Sequence, residues 1–583
     1  MATAGSVGSV VELPGKVPAH YLNGLRRAIA DRGTDELARQ GHSLPRAERL
    51  VVLIAVVVGG FAVRWSFAHQ VALLITDAQS HLVIARRIFD GPNAGIGQVG
   101  SVWLPLPHLL LAPFTLSMSW WRSGFGAAVL GVVCLAVTCL AIFRTSVRAT
   151  GSAIAGWASV VALLCTPTLL YIHTTAMTEP VLLATVCVTL AGVTRWETTG
   201  WSYSGGEIVA FCGAGAFCVV FSRYEGWAFV ATITMYIGVS VWRWKGRRAA
   251  IKAVRQFALA PALAGLLWLG FNALYFGDAL AFQRGEGSSE AQMAARRLIG
   301  ALPDYHRVGH SVATFSWVTQ ATCGRILSIG GLMLTLLYVA GVGPRLRSRA
   351  PFAVFAMGAF HVLSLWTGQT FMSHEYAVRY GIVVIPVFAV LFGWLVAWLA
   401  DVVQRSWGQI SRFVKRSDAQ RQTLDHAGRA SLVAAGAMVC ALTAGQFTTA
   451  YPTALLHQGR LEQQRTVDTD RAAAWAGEHY DGGFVLIDDT ANPSLLRLGL
   501  SYNEVISSFS GPQWKAAVAG RTRAPARWAI IDTAHSGDRV ATMLRKRPDG
   551  WKPMFRSGTA LVFRYDPLAD LHASLSTVAG PRP

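Results

Sequence analysis

The chain has 583 residues, of which 52% are hydrophobic and only 14% charged. Charged residues make up about a quarter of an ordinary soluble domain, so this deficit points to a membrane protein. The formal net charge of +20 is no nucleic-acid signal, because the basic clusters flank apolar segments, where they act as orientation signals.

The first 48 residues are polar and read as a cytoplasmic N-terminal segment without a cleavable signal peptide. Apolar stretches near the ~20 residues needed to cross a bilayer follow at 49–69, 102–120, 123–143, 152–172, 179–196, 206–222, 224–243, 255–277, 323–343, 351–368, 379–402 and 429–450. The basic loops Arg144/Arg148, Trp242–Arg255, Arg345–Arg349 and Arg405–Arg421 belong in the cytoplasm. Threading the spans through them leaves one stretch too many. The weakest is 102–120, with Pro105, Pro107 and Pro113, which reads as a broken or re-entrant segment. The expected fold is therefore an α-helical polytopic membrane protein of about eleven transmembrane helices. Its transmembrane part occupies 49–450, with external loops at 70–101 and 278–322.

Between the first spans lies Thr76–His108, with an acid, two histidines and a Gly/Pro-rich loop. Thr76 and Gln79 have capping-box spacing, so a helix starts here. Ala78, Leu82, Ala85 and Phe89 fall on one apolar stripe while Asp77 and His81 share another face, as in an amphipathic helix lying on the membrane surface. Asp77 is either a first-turn cap or an ionised general base held at that surface. GPNAGIGQVG at Gly91–Gly100 follows no strand and is no dinucleotide loop.

The threaded topology puts the unusual polar motifs on one external face. These are Asp77 and His81, Thr178-Glu179-Pro180, Arg223-Tyr224-Glu225-Gly226, the 278–322 loop and His374 through Tyr380. In that loop the flexible Gly285–Ser289 run precedes helical periodicity over Glu290–Leu302, which suits a lid over a membrane-facing pocket or a plain surface loop. After Tyr451, the runs 484–489, 528–533 and 560–565 read as buried strands, with helices at Asp470–Tyr480 and Asp538–Arg547. Residues 451–583 are thus expected to form a small extracytoplasmic α/β domain. Asp488, Asp489 and Asp532 end strands as turn or cap residues, and Asp468-Thr469-Asp470 opens a helix rather than holding a nucleotide sugar. The eight cysteines include no CxxC pair, so neither a disulfide framework nor a zinc site is expected.

An arginine at a helix end in low dielectric is a strong phosphate ligand. Arg223 and Arg379 qualify, each followed by a tyrosine. Asp77, Glu179, Glu225 and Glu375 can pair with them, position a hydroxyl or take its proton. Such a pocket suits a substrate with a phosphate beside a nucleophilic alcohol; the alternative is ion pairs that tie helices together.

The runs TDAQSHLVIARRIFD, GIGQVGSVWLPLPHLLLAPF, MTEP, SRYEGW and HEYAVRYGIVVIPVFAV resemble the multi-spanning membrane glycosyltransferases of the GT-C fold. The likeness is to a bacterial branch distantly akin to the protein O-mannosyltransferase and lipid A aminoarabinose transferase families, and it covers 49–400. It implies transfer of a sugar from a polyprenyl-phosphate carrier, at the extracytoplasmic face of the plasma membrane and without a nucleotide, to a glycan, lipid or protein hydroxyl. Asp77 matches the essential first-loop acid and is implied as the base. Arg223, Arg379 and Tyr380 are assigned to the donor phosphate. His81, Trp103, His108, Glu179, Tyr224, Glu225, His374 and Glu375 are assigned to sugar or acceptor. Many relatives carry paired acids where Asp77 is followed by Ala78, and neither a metal nor a cofactor is expected. Mannose and arabinose are the leading sugars. The rival functions are a polymerase or ligase of lipid-linked glycans and a lipid or solute transporter.

Overall fold

The computed structural model describes residues 44–413, 436 and 454–566, apart from 286, 374, 490–493, 520–525 and 549. Residues 1–43, most of the expected span at 429–450, the basic run beyond 413 and His374 lie outside the described residues.

Within lipid, backbone groups must be satisfied inside each segment, so apolar runs become helices. Among the described residues, five helices are long and apolar enough to cross a membrane: Arg46–Ala68, Phe125–Thr150, Glu179–Thr198, Arg247–Phe276 and Val378–Val403. Shorter apolar helices occupy Ala153–Leu164, Gly205–Val220, Arg325–Val339 and Ala350–Trp366. Another helix fills Glu225–Lys245. Composition and helices together make this a membrane protein, but they do not fix the expected total of eleven crossings. The stretch at 102–120 breaks into three short helices, Pro105–Leu111, Ala112–Thr115 and Met118–Ser123.

We label α1 (Leu44–Ala68), α2 (Thr76–Arg87), α3 (Phe125–Thr150), α4 (Glu179–Thr198) and α5 (Glu225–Lys245). The segment leading into α4 lies close against α3: a Cβ on Gly131 would sit 1.9 Å from the His173 carbonyl oxygen. Small residues let membrane helices approach in this way. Further on come α6 (Ser289–Leu298), α7 (Val308–Cys323), α8 (Phe355–Trp366) and α9 (Ala454–Glu478). Helix α7 was not foreseen within the 278–322 loop. It packs against the 3-10 turn Val378–Val384, so closely that a Cβ on Gly381 would fall 2.3 Å from the Val318 carbonyl oxygen.

Helix α2 differs from its expected surface position. Ala78, Gln79, His81, Leu82, Val83, Ile84 and Ala85 are all buried, while Phe89 of the supposed apolar stripe is exposed. The reason is a second covering layer. Residues 71–85 share one core with Leu455, Ala472, Val485 and Trp528 from the C-terminal region. The capping box does not form either. Gln79 donates to the Leu73 carbonyl at 2.9 Å, and the first helical N–H, that of Thr76, donates to Glu462 of α9 at 2.8 Å. The cap comes from a residue almost four hundred positions away.

The C-terminal region forms a five-stranded sheet of β1 (Phe484–Ile487), β2 (Val505–Ile506), β3 (Ala526–Asp532), β4 (Trp551–Ser557) and β5 (Ala560–Tyr565), ordered β2-β1-β3-β5-β4. β1 runs parallel to both β2 and β3, and β5 pairs antiparallel with β3 and β4. α9 covers one face; Trp514, Val540 and Leu544 bury the other. Asp90, just past α2, accepts from Ser501 Oγ at 2.6 Å and Asn503 Nδ2 at 3.3 Å, which fastens this sheet region to the first loop.

Candidate active site

Four stretches far apart in the chain bring their charged side chains to one end of the bundle: the first turn of α2, the start of α4, the turn before α5, and the 3-10 turn at Val378–Val384. Glu179 is their centre. It is 0% exposed, and its Oε1 accepts from Arg379 Nε at 3.0 Å and lies 3.1 Å from Arg223 Nη1. Its other oxygen, Oε2, is buried without a hydrogen-bond partner. A lone buried carboxylate would be untenable, but two guanidiniums offset its desolvation.

Each arginine has a second acid. Arg223 Nε lies 2.5 Å from Glu225 Oε1, and its Nη1 also donates to Thr178 Oγ1 at 2.8 Å. Arg379 Nη2 pairs with Asp77 Oδ2. Tyr380 lies against both guanidiniums, its ring centroid 5.2 Å from Arg223 Cζ and 5.0 Å from Arg379 Cζ. His361 stacks on that ring at 4.9 Å, with Nε2 3.8 Å from Glu225 Oε1.

The acids differ in access. The Asp77 side chain is 40% exposed, against 4% for Glu225 and 0% for Glu179. Only Asp77 among them can meet an incoming molecule, and it sits in the first turn of α2. Tyr376 lies close by: burial, with Tyr380 and Asp77 near it, pushes its hydroxyl up to about 12, so it stays an O–H donor at neutral pH.

One turn along α2, His81 Nδ1 lies 2.9 Å from His108 Nε2, and His108 Nδ1 lies 3.1 Å from the Leu104 carbonyl. The carbonyl can only accept, so His108 donates to it through Nδ1–H, and its Nε2 accepts a hydrogen bond from His81 Nδ1–H. His81 Nε2 keeps its lone pair. Burial, then His108, Arg379 and Arg223, hold the His81 imidazole well below its ordinary value and therefore neutral. The Trp103 ring packs on it at 4.4 Å. Beside the pair lies a cavity of about 20 Å³ bounded by His81, His108 and Thr175–Thr178, room for a single water.

Of the expected site residues, Asp77, Glu179, Arg223, Glu225, Arg379 and Tyr380 thus converge, and His81, Trp103 and His108 form an adjoining group. Two do not join. Tyr224 turns away, donating to the Val102 carbonyl at 2.7 Å and stacking on Phe282. Glu375 is exposed and reaches Arg465 of α9 at 3.4 Å, an ordinary surface pair. His361 and Thr178 were missed as site residues. An ionisable residue inside the apolar 351–368 stretch was the available signal for His361. Among the described residues no group of three or more His, Cys, Asp or Glu is placed to hold a metal ion.

No protein-family profile matches the chain, and no curated protein is similar to it. Several solved structures are, two of which follow. One is ArnT of Cupriavidus metallidurans in the apo state, at 14% identity over 93% of this chain and 100% of that one, TM-score 0.49. The other is the oligosaccharyltransferase of Archaeoglobus fulgidus in complex with zinc and sulfate, at 11% identity over 88% of this chain and 73% of that one, TM-score 0.46. At TM-scores below 0.5 these likenesses carry no weight for function; the ionic cluster does.

Proposed function

We propose that this chain is a membrane glycosyltransferase that moves a sugar from a polyprenyl phosphate to an acceptor hydroxyl at the extracytoplasmic face. What supports this most is the contrast within one cluster. Glu179 and Glu225 are sealed against arginines, while Asp77 is paired on one side and open on the other.

Three carboxylates face two guanidiniums, so the cluster as it stands is one negative charge in excess. A donor phosphate therefore binds by competing with a carboxylate for an arginine, and Asp77 is the exposed and displaceable one. Donor binding at Arg379 thus frees the Asp77 carboxylate to face the acceptor hydroxyl at the moment a substrate is in place. Asp77 then takes the acceptor hydroxyl proton, the acceptor oxygen bonds to the anomeric carbon, and the bond from that carbon to the phosphate oxygen breaks. Polyprenyl phosphate departs with the electron pair. Arg223 and Arg379 stabilise the charge gathering on it. Glu179 holds both arginines in position, and His81, fixed by His108 and flanked by Trp103, offers Nε2 as an acceptor for a sugar hydroxyl. One base on one side of the anomeric carbon gives inversion.

Membranes containing the chain, given a radiolabelled polyprenyl-phosphate mannose or arabinose, are expected to move label into an acceptor without added nucleotide. Label moving only from a nucleotide sugar would overturn the proposal. Growth of long polymer from lipid-linked oligosaccharides would favour the ligase alternative.

A further inference from the structure

A second and far larger cavity lies at the other end of the bundle. It measures about 960 Å³. Glu179 and Arg195 lie on the same helix, sixteen residues apart, which puts its wall about 24 Å from the ionic cluster. Five arginines line it: Arg148 at the end of α3, Arg195 at the end of α4, Arg243 at the end of α5, and Arg347 and Arg349 from the segment before α8. Glu197 is the one acid among the lining residues. Its two oxygens each lie 2.6 Å from the Tyr236 hydroxyl.

Two ordinary explanations account for part of this charge. Cations suit helix C-termini, but each terminus carries only about half a negative charge. Three termini and one glutamate offset about half of the charge of the five guanidiniums, leaving roughly 2.5 positive charges in excess. Basic residues also orient membrane proteins, but that role requires only residence in the loops. Here three of the five are held at the wall of a recess. Arg148 Nη1 donates to the Ala191 carbonyl at 3.0 Å, and Arg195 Cζ lies 5.0 Å over the Phe211 ring. The backbone N–H of Arg347 donates to the Ala149 carbonyl at 2.7 Å. Gly151, at φ +78°, leaves the place for the Arg347 guanidinium, which a Cβ would approach to 2.6 Å.

The same cavity wall includes Met235, Val239 and Trp244, all exposed large apolar residues. A cationic recess opening onto an apolar helix face and an interfacial tryptophan matches a ligand with a phosphate head and a hydrocarbon tail. We propose that this recess, at the end that the basic loops assign to the cytoplasm, binds the phosphate of an anionic phospholipid headgroup, with an acyl chain along Met235 and Val239. It is separate from the proposed donor site and does not depend on the assigned reaction.

The test uses the purified full-length chain in detergent micelles, titrated with phosphatidylglycerol, phosphatidylcholine or inorganic phosphate, and read by native mass spectrometry and thermal shift. Phosphatidylglycerol is expected to bind and stabilise, and phosphatidylcholine to do neither. Arg243→Gln with Arg347→Gln should weaken phosphatidylglycerol roughly tenfold to thirtyfold, and Arg243→Lys with Arg347→Lys should largely restore it, showing that folding is intact. Stabilisation by inorganic phosphate alone, lost in the Gln pair, would keep a phosphate site and assign it to a soluble ligand. Equal binding of both lipids, or an unaltered Gln pair, would overturn the proposal.

Discussion

Replacing Glu179 by Gln separates holding the site together from performing its chemistry. The side chain is 0% exposed and bridges Arg379 Nε at 3.0 Å and Arg223 Nη1 at 3.1 Å. Removing one partner of a buried ion pair costs about 3–5 kcal/mol. Gln keeps an acceptor oxygen, so the lower bound of about 3 kcal/mol is the expected loss. Asp77→Asn breaks a pair that is 40% exposed on the acid side, and pairs of that kind are worth about 1 kcal/mol or less. The assay is unfolding of both variants in mixed detergent micelles, followed by tryptophan fluorescence. Adding Arg379→Gln to Glu179→Gln should cost much less than the two single effects added, since the residues share one network. A Glu179→Gln protein as stable as wild type, or an Asp77→Asn protein destabilised equally, would refute this division of roles.

Other expectations come from the same geometry. Gly381→Ala should lower both stability and transfer, because its Cβ has backbone atoms of Val318 and Thr319 at 2.3–2.5 Å and the neighbouring Arg379 and Tyr380 must shift; overpacking of this kind costs about 1–3 kcal/mol. Glu375→Gln should leave transfer and stability within about 0.5 kcal/mol of wild type, since it removes only an exposed pair with Arg465. The folded-state value of His81 is depressed, so the unfolded chain binds the proton more tightly. Its stabilising contribution is therefore full above the ordinary value of 6.5 and is lost as pH falls toward the folded value. A pH series of thermal unfolding should show this acid-side decline, and His81→Gln should flatten it. Asp90→Ala should expose the junction between the first loop and the sheet to limited proteolysis, having lost Ser501 and Asn503 as partners.

Much of the bundle was legible because crossing a membrane forces long apolar runs and confines charge to their ends, which hydropathy displays directly. The acids and arginines of the cluster were legible for the same reason: a charged residue at a helix end is conspicuous in an apolar background. Their pairing was not. Nothing local links Asp77 to Arg379 or Glu179 to Arg223, since those contacts arise only once helices distant in sequence are packed. Helix α2 shows the same limit. Its stripe of Ala78, Leu82 and Ala85 indicated one buried face, but the second cover comes from the C-terminal sheet, and its cap comes from Glu462. Tyr224 and Glu375 shared motifs with true cluster members, yet motif adjacency does not set the direction of a side chain.

The most direct measurement is single-turnover transfer from a radiolabelled polyprenyl-phosphate sugar by wild type and Asp77→Asn at matched amounts of folded protein. A rate lower by about 10²–10⁴, with donor binding retained, is the predicted result. An unchanged rate in Asp77→Asn would contradict the account.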